Sequence, residues 1–168
     1  MLRLVIVILA FILGFGINDL AGQSETKEPS KDDRYKEMLT LVESGEFAFE
    51  ARRAFPQSGP SVDLTTHHAV IEFSDSTARA RLPYYGRAFH VEYSGPGGIR
   101  FEGPVKSSEI TRKPERRKIL YSFEVRDDDH FRVHMDVGYN GDARVSINSN
   151  NRSHISYWGS LSRSATSE

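Results

Sequence analysis

The sequence predicts a mainly β protein: an antiparallel up-and-down meander of 8–9 strands that closes into a barrel, behind one N-terminal amphipathic helix. Three observations carry this. Past the leader, apolar residues take helical spacing once, between Tyr35 and Val42. From Phe47 onward the apolar repeat is two residues and stays so almost to the C-terminus. Clusters of Gly, Pro, Asn, Asp and Ser break the apolar runs at the short intervals of β-turns.

The first residues belong to targeting and not to the fold. Arg3 supplies a positive start, Leu4 to Ile17 carries no charge, and Asn18-Asp19-Leu20-Ala21-Gly22 offers polar and small residues for cleavage after Gly22. A membrane-spanning helix needs roughly 20 apolar residues, more than this run supplies. Residues 1–22 therefore read as a signal peptide, and 23–30 (QSETKEPS) as a flexible leader. The expected product is exported, periplasmic or extracellular, peripheral to the envelope, and without a transmembrane anchor after processing.

Ser30, with Asp33 three residues on, has the spacing of a capping box. Tyr35, Met38, Leu39 and Val42 then share one face of a helix over 31–44, which Gly45 ends. The barrel domain is expected over 46–160. Its strands are read from the alternating sets Phe47/Phe49/Ala51, Ala69/Ile71/Phe73, Ala78/Ala80/Leu82, Phe89/Val91/Tyr93 and Ile99/Phe101. Ile119/Tyr121/Phe123/Val125, Phe131/Val133/Met135/Val137, Val145/Ile147 and Ile155/Tyr157 follow. Strict alternation gives each strand one buried and one wet face. Ser74-Asp75-Ser76, Gly95-Pro96-Gly97-Gly98, Asp127-Asp128-Asp129, Asn140-Gly141 and Ser149-Asn150-Asn151 supply the turns. Closure into a barrel removes exposed edges; a strongly bent open sheet with the helix packed on it is the alternative. Residues 161–168 read as a disordered tail.

Composition excludes several functions. Lys plus Arg number 22 and Asp plus Glu 23, so the basic excess that phosphate backbones require is missing, and nucleic acid is not an expected partner. The chain has no Cys, which removes disulfides, thiolate nucleophiles and Cys-based metal sites. No Gly-x-Ser-x-Gly elbow, phosphate loop or His-Glu-x-x-His helix occurs, so no catalytic residue, cofactor or metal is assigned and the protein reads as a non-enzyme. His130 and His134, four apart on a strand, lie about 13 Å from each other and cannot share one zinc. Asp127-Asp128-Asp129 offers too few converging oxygens for calcium and reads as a solvated hairpin tip.

Three stretches are distinctive: FPQSGPSVDL from Phe55 to Leu64, LPYYGRAF from Leu82 to Phe89, and GDARVSINSNNRSHISYWG from Gly141 to Gly159. Together they resemble the secreted bacterial domain-of-unknown-function family 4251, typical of Bacteroidetes. The resemblance implies a lipocalin-like antiparallel barrel and an envelope location. It implies no established activity and hence no site residue. Members often begin as lipoproteins, a feature this Cys-free chain lacks.

Two polar features stand out of the pattern: the aromatic turn Pro83-Tyr84-Tyr85-Gly86-Arg87 and the cationic run Thr111 to Lys118 (TRKPERRK). Connections of a meander alternate between its two ends. Counting from Phe47, the loops at 56–67, 83–87, 104–118 and 140–141 are expected at one end. Tyr84, Tyr85, Arg87, Arg112, Lys113, Arg116, Arg117 and Lys118 would then line an aromatic, positive mouth. The leading functional reading is an exported non-catalytic barrel that binds a small apolar or anionic ligand, or an envelope component, at that end. The alternative is a protein-interaction or inhibitory module of the cell envelope with a fully packed interior. The inward set Phe47, Phe49, Phe73, Phe89, Phe101, Tyr121, Phe123, Phe131 and Met135 decides between them: a filled interior favours the second.

The signal-peptide reading has a direct check. Intact mass of the protein recovered from its native host should show loss of the first 22 residues, leaving about 146. An intact N-terminus extractable only with detergent would contradict it.

Overall fold

A computed structural model describes residues 28–74, 76–88 and 97–164. The expected signal peptide and most of the leader lie outside these residues. Among these residues one helix, α1 (Lys31–Ser44), precedes ten strands. Ser30 caps it: the Asp33 N–H donates to the Ser30 hydroxyl, which in turn donates to the Asp33 carboxylate at 2.7 Å. The Ser30 hydroxyl and backbone N–H together hold the Asp33 carboxyl below the usual range. Gly45 ends the helix at φ 71°, a left-handed conformation that costs little without a Cβ. No helix among the described residues is long and apolar enough to cross a membrane.

The strands are β1 (Phe47–Pro56), β2 (Val62–Asp63), β3 (Val70–Ser74), β4 (Thr77–Leu82), β5 (Ile99–Pro104), β6 (Lys106–Lys113), β7 (Lys118–Arg126), β8 (His130–Gly138), β9 (Asp142–Ser149) and β10 (Ile155–Arg163). They form one antiparallel sheet in the order β5-β4-β3-β1-β10-β9-β8-β7-β6, with β2 a short addition to β1. β5 and β6 are successive parts of one long strand interrupted at Val105. The first part pairs with β4 and the second with β7. The two ends of the sheet therefore meet, and the meander becomes a nearly closed barrel.

Closure rests on β1 and β10, the first and last long strands. Their register runs from Phe47↔Arg163 to Pro56↔Ile155, with a bulge between Ala51 and Arg53. At that bulge the backbones come so close that a Cβ on Gly159 would overlap the Glu50 carbonyl. Only glycine fits there.

The interior is filled by the inward positions of every long strand. Phe47, Phe49, Ile119, Val125, Val133, Val137, Val145, Ile155 and Tyr157 are fully buried. Rings from strands that are not neighbours meet across the interior. Phe73 on β3 lies 5.0 Å from Phe123 on β7, and Phe101 on β5 lies 5.0 Å from Phe131 on β8. Phe47 stacks on Phe73 at 4.3 Å, and Tyr121 stacks on Phe123 at 5.2 Å. Each ring contributes about 2–3 kcal/mol of burial, and the pairs somewhat more.

Helix α1 covers one end of the barrel. Arg117 donates to Asp32 at 2.6 Å, Arg112 Nε donates to Glu43 at 2.8 Å, and Lys31 lies over the Tyr139 ring. Tyr35 and Val42 carry the helix into the main core.

Four expectations are corrected. First, 104–118 is not a loop but β6 and a 3-10 turn at Pro114–Arg116. Its residues are exposed on both faces along most of their length, so it leaves no apolar alternation to read. Second, β4 pairs directly with β5 (Leu82↔Ile99), so the chain leaves and returns at the same end. The strand expected around Phe89, Val91 and Tyr93, and the inward position expected of Phe89, lie outside the described residues. Third, β10 continues to Arg163, so ordered structure extends past the expected boundary at 160.

The fourth correction follows from the second. Because β4 and β5 are antiparallel neighbours, every later connection lies at the end opposite to the one expected. In the structure 57–69, 83–88 with 97–98, 127–129 and 150–154 lie at one end, and 114–117 and 139–141 lie at the other with α1. The tyrosines and the cationic run occupy opposite ends. They do not share a mouth.

Gly159→Ala should cost at least about 3 kcal/mol in denaturant unfolding, because the clash is with backbone that the barrel needs for closure. Gly97→Ala, where the added methyl meets nothing within 4 Å, should change stability by less than about 0.5 kcal/mol. Equal, small effects would mean that the β1–β10 seam is looser than described.

Candidate functional site

At the end opposite α1, the turn 83–88 and the segment 150–154 form a latch. The Tyr84 hydroxyl lies 2.8 Å from the Arg87 carbonyl and 2.8 Å from Ser153 Oγ. Arg87 N–H donates to Ser153 Oγ, and Ser153 N–H donates to the Arg87 carbonyl at 3.0 Å. Arg152 lies over the Tyr84 ring and donates to the Gly98 carbonyl. Tyr157, at the top of β10, donates to the Pro83 carbonyl at 2.7 Å. Tyr85 packs half-buried on the core. The two tyrosines thus tie the long 83–98 connection to the last strand. The Arg87 side chain is exposed, and its backbone does the holding.

The cationic residues are mostly engaged around α1. Arg112 pairs with Glu43, Arg117 with Asp32, and Lys118 Nζ with Asp136 at 2.8 Å. Lys113 and Arg116 are exposed and make no ion pair among the described residues. These pairs are solvent-exposed, and each contributes less than about 1 kcal/mol.

The acidic turn is the exposed tip of the β7–β8 hairpin, and two of its three aspartates also hold their surroundings. Asp127 accepts the Glu102 N–H at 3.0 Å, and Asp129 accepts from His130 N–H at 2.6 Å, Asn150 N–H and the Ser149 hydroxyl. His130 faces Glu124 at 2.9 Å. Among the described residues no group of three or more His, Asp and Glu side chains is placed to hold a metal ion.

A further surface is the outer wall of β6–β10, which the sequence reading passed over. One cross-strand row runs Thr111–Leu120–Asp136–Arg144–Trp158–Arg53 in register. Trp158 and Leu120 are the exposed large apolar residues among those described, at 40% and 38%. Between them Asp136 holds Lys118, and the Arg144 guanidinium lies over the Phe55 ring at 5.5 Å. Two shallow depressions of about 300 and 340 Å³ meet here and share Asp136 and Arg144. Ser122, His134 and Ser146 line the first, and Trp158 and Lys118 the second. The row offers flat apolar and aromatic surface with fixed charges between. A signal was present in the sequence: Leu120 and Trp158 fall out of phase with the inward sets of their strands, which places two large apolar side chains on the wet face.

Burial raises the Tyr157 phenol far above its ordinary value, helped by the neighbouring Tyr84 and Tyr85 and opposed by Arg152. The neutral phenol is therefore the form the fold favours. Between the unfolded value of 10.0 and the higher folded value, the unfolded chain has lost a proton that the native chain keeps. Stability from this group is complete below that window and falls as pH rises through it. Tyr157→Phe should lose about 1 kcal/mol at pH 7 from the missing hydrogen bond. Its melting temperature should also fall less steeply than wild type above about pH 10. Parallel pH profiles would contradict the latch assignment.

The family described as Domain of unknown function (DUF4251) matches residues 30–161. Among solved structures, the crystal structure of a DUF4251 family protein from Bacteroides eggerthii DSM 20697 is similar. Identity is 20%, the TM-score is 0.61, and the match covers 77% of this chain and 87% of that one. At that identity the likeness shows the fold alone. No curated protein matches this chain.

Proposed function

The chain belongs to the DUF4251 family, and on that premise we propose that it is a non-catalytic interaction module of the cell envelope, exported and built to bind another protein through the outer wall around Trp158. One observation carries this reading. The barrel interior is occupied by its own aromatic rings, while two large apolar side chains stand exposed on one row of the wall. A carrier needs an apolar cavity of several hundred Å³ to enclose its ligand. Phe73, Phe101, Phe123 and Phe131 fill the space such a ligand would take.

A protein interface fits the wall in its chemistry. Trp and Arg are the side chains that most often dominate interface energetics, and fixed charges of both signs in one row set the register of a partner. Arg144, steadied on Phe55, presents its guanidinium beside Trp158 at low entropic cost.

The test is site-specific photo-crosslinking in the native host. A photoreactive residue at position 120 should give a discrete adduct with another protein, lost when Trp158 and Arg144 are both replaced by Ala. The same probe at Glu72, on the outward face of β3, should give none. Adducts of equal yield at both positions, or a small molecule retained by the purified protein in native mass spectrometry, would overturn the proposal.

A further inference from the structure

Among the described residues, β6 has a strand paired to it on one side only. β6 pairs with β7 on one side, and β5, the earlier part of the same strand, pairs with β4 on the other. The far edge of β5 is closed off near its end, where Glu102 N–H donates to Asp127, and on the β4 side the ladder ends where Val105 N–H donates to the Ser76 carbonyl at 2.8 Å. Past Val105 no further strand is in register with β6 among the described residues. Its residues are exposed except for Ile110 and Thr111, which are half-buried. Every second residue of a strand directs its N–H and C=O to the side away from its partner, so β6 presents a ladder of free backbone groups.

The same strand is built against pairing with its own copies. A second β6 laid antiparallel in the register that matches all eight residues sets Lys106 against Lys113 at both ends. Parallel pairing sets each Lys and Arg beside its twin. The bulge between Lys106 and Glu109, with Ser107 at φ 50°, breaks the regular repeat further. Because of that bulge Lys106, Glu109, Thr111 and Lys113 lie opposite Glu124, Ser122, Leu120 and Lys118, all on the outward face. Lys106 and Lys113 make no ion pair among the described residues. The open edge thus carries a cation at each end and one acid, Glu109, between them.

We propose that β6 accepts an extended segment of a partner protein by antiparallel strand addition, the segment carrying acidic residues six positions apart that meet Lys106 and Lys113. Backbone hydrogen bonds supply affinity, and the charge pattern supplies choice of partner and register. The proposal shares with the preceding reading the premise of a protein partner, and it does not depend on Trp158.

The probe is the labelled peptide Glu-Val-Thr-Val-Lys-Val-Glu, which sets Glu against both lysines and Lys against Glu109. Binding is measured by fluorescence polarisation, and amide hydrogen exchange of the full chain locates it. Exchange along 106–113 should slow by about tenfold in the peptide's presence. A version N-methylated at alternate amides, unable to form the ladder, should bind at least about tenfold more weakly. The charge-reversed peptide and the Lys106→Gln/Lys113→Gln variant should each lose a similar factor at low salt. Trp158→Ala should bind the peptide as wild type does, which separates failure here from failure of the wall. Absence of protection at 106–113, or equal binding of the N-methylated or charge-reversed peptide, would overturn the proposal.

Discussion

Pairing of the first long strand with the last is the constraint on which the rest of this molecule depends. β1 and β10 are separated by nearly the whole domain, and joining ends that far apart costs about 4 kcal/mol of loop-closure entropy. The seam offsets that cost by bringing Phe47, Phe49, Ala51 and Ala54 into the core beside Ile155, Tyr157 and Leu161. Gly159 permits the close approach, and the bulge at Ala51/Arg53 gives the bend. Once the seam is closed, β3 and β10 are fixed on either side of β1. Phe73 can then reach Phe123 across the interior. A contact set this non-local implies slow folding for its size.

The same closure decides where function can reside. A barrel filled by Phe rings offers its partners only the outside: two ends, one wall and one edge. One end is covered by α1, and the other is drawn together by Tyr84, Arg152, Ser153 and Tyr157. Both ends are thus occupied by the protein's own structure. Among the described residues the wall around Trp158 and Leu120 and the free side of β6 stay open. So does a depression of about 610 Å³ between α1 and β10 lined by Met38, Leu41 and Leu161. The wall and β6 adjoin through Thr111, which belongs to the row of the one and the strand of the other.

Much of this was legible in the residues. The capping box at Ser30 and Asp33, the face of α1 and the phase of nearly every buried strand follow from local rules. Each depends on neighbours within a few positions and on burial on one side only. β6 was hidden because an exposed edge strand has no buried face to impose alternation, so Lys106–Lys113 reads as a loop. The direct antiparallel pairing of β4 with β5, which no local pattern announces, is what sets the cationic turn at the end opposite to the expected one. The tyrosine motif and the NRSHISYWG ending are distinctive in sequence, and the structure places them against each other: Tyr84 on Ser153, Tyr157 on Pro83. Their chemistry is spent on holding the chain together. The wall site needs the register of five strands to bring Leu120 and Trp158 into one row, and no local pattern supplies that.

Native-state hydrogen exchange on β1 and β10 tests the central claim most directly. If the first–last seam holds the barrel closed, the amides of Phe49, Ala51, Tyr157 and Gly159 exchange only by global unfolding. Their opening free energies should then equal the stability measured with denaturant, within about 1 kcal/mol, and fall with the same slope. Exchange there through a smaller opening, while β7 and β8 stay protected, would show a sheet that holds its shape without the seam and would contradict the account.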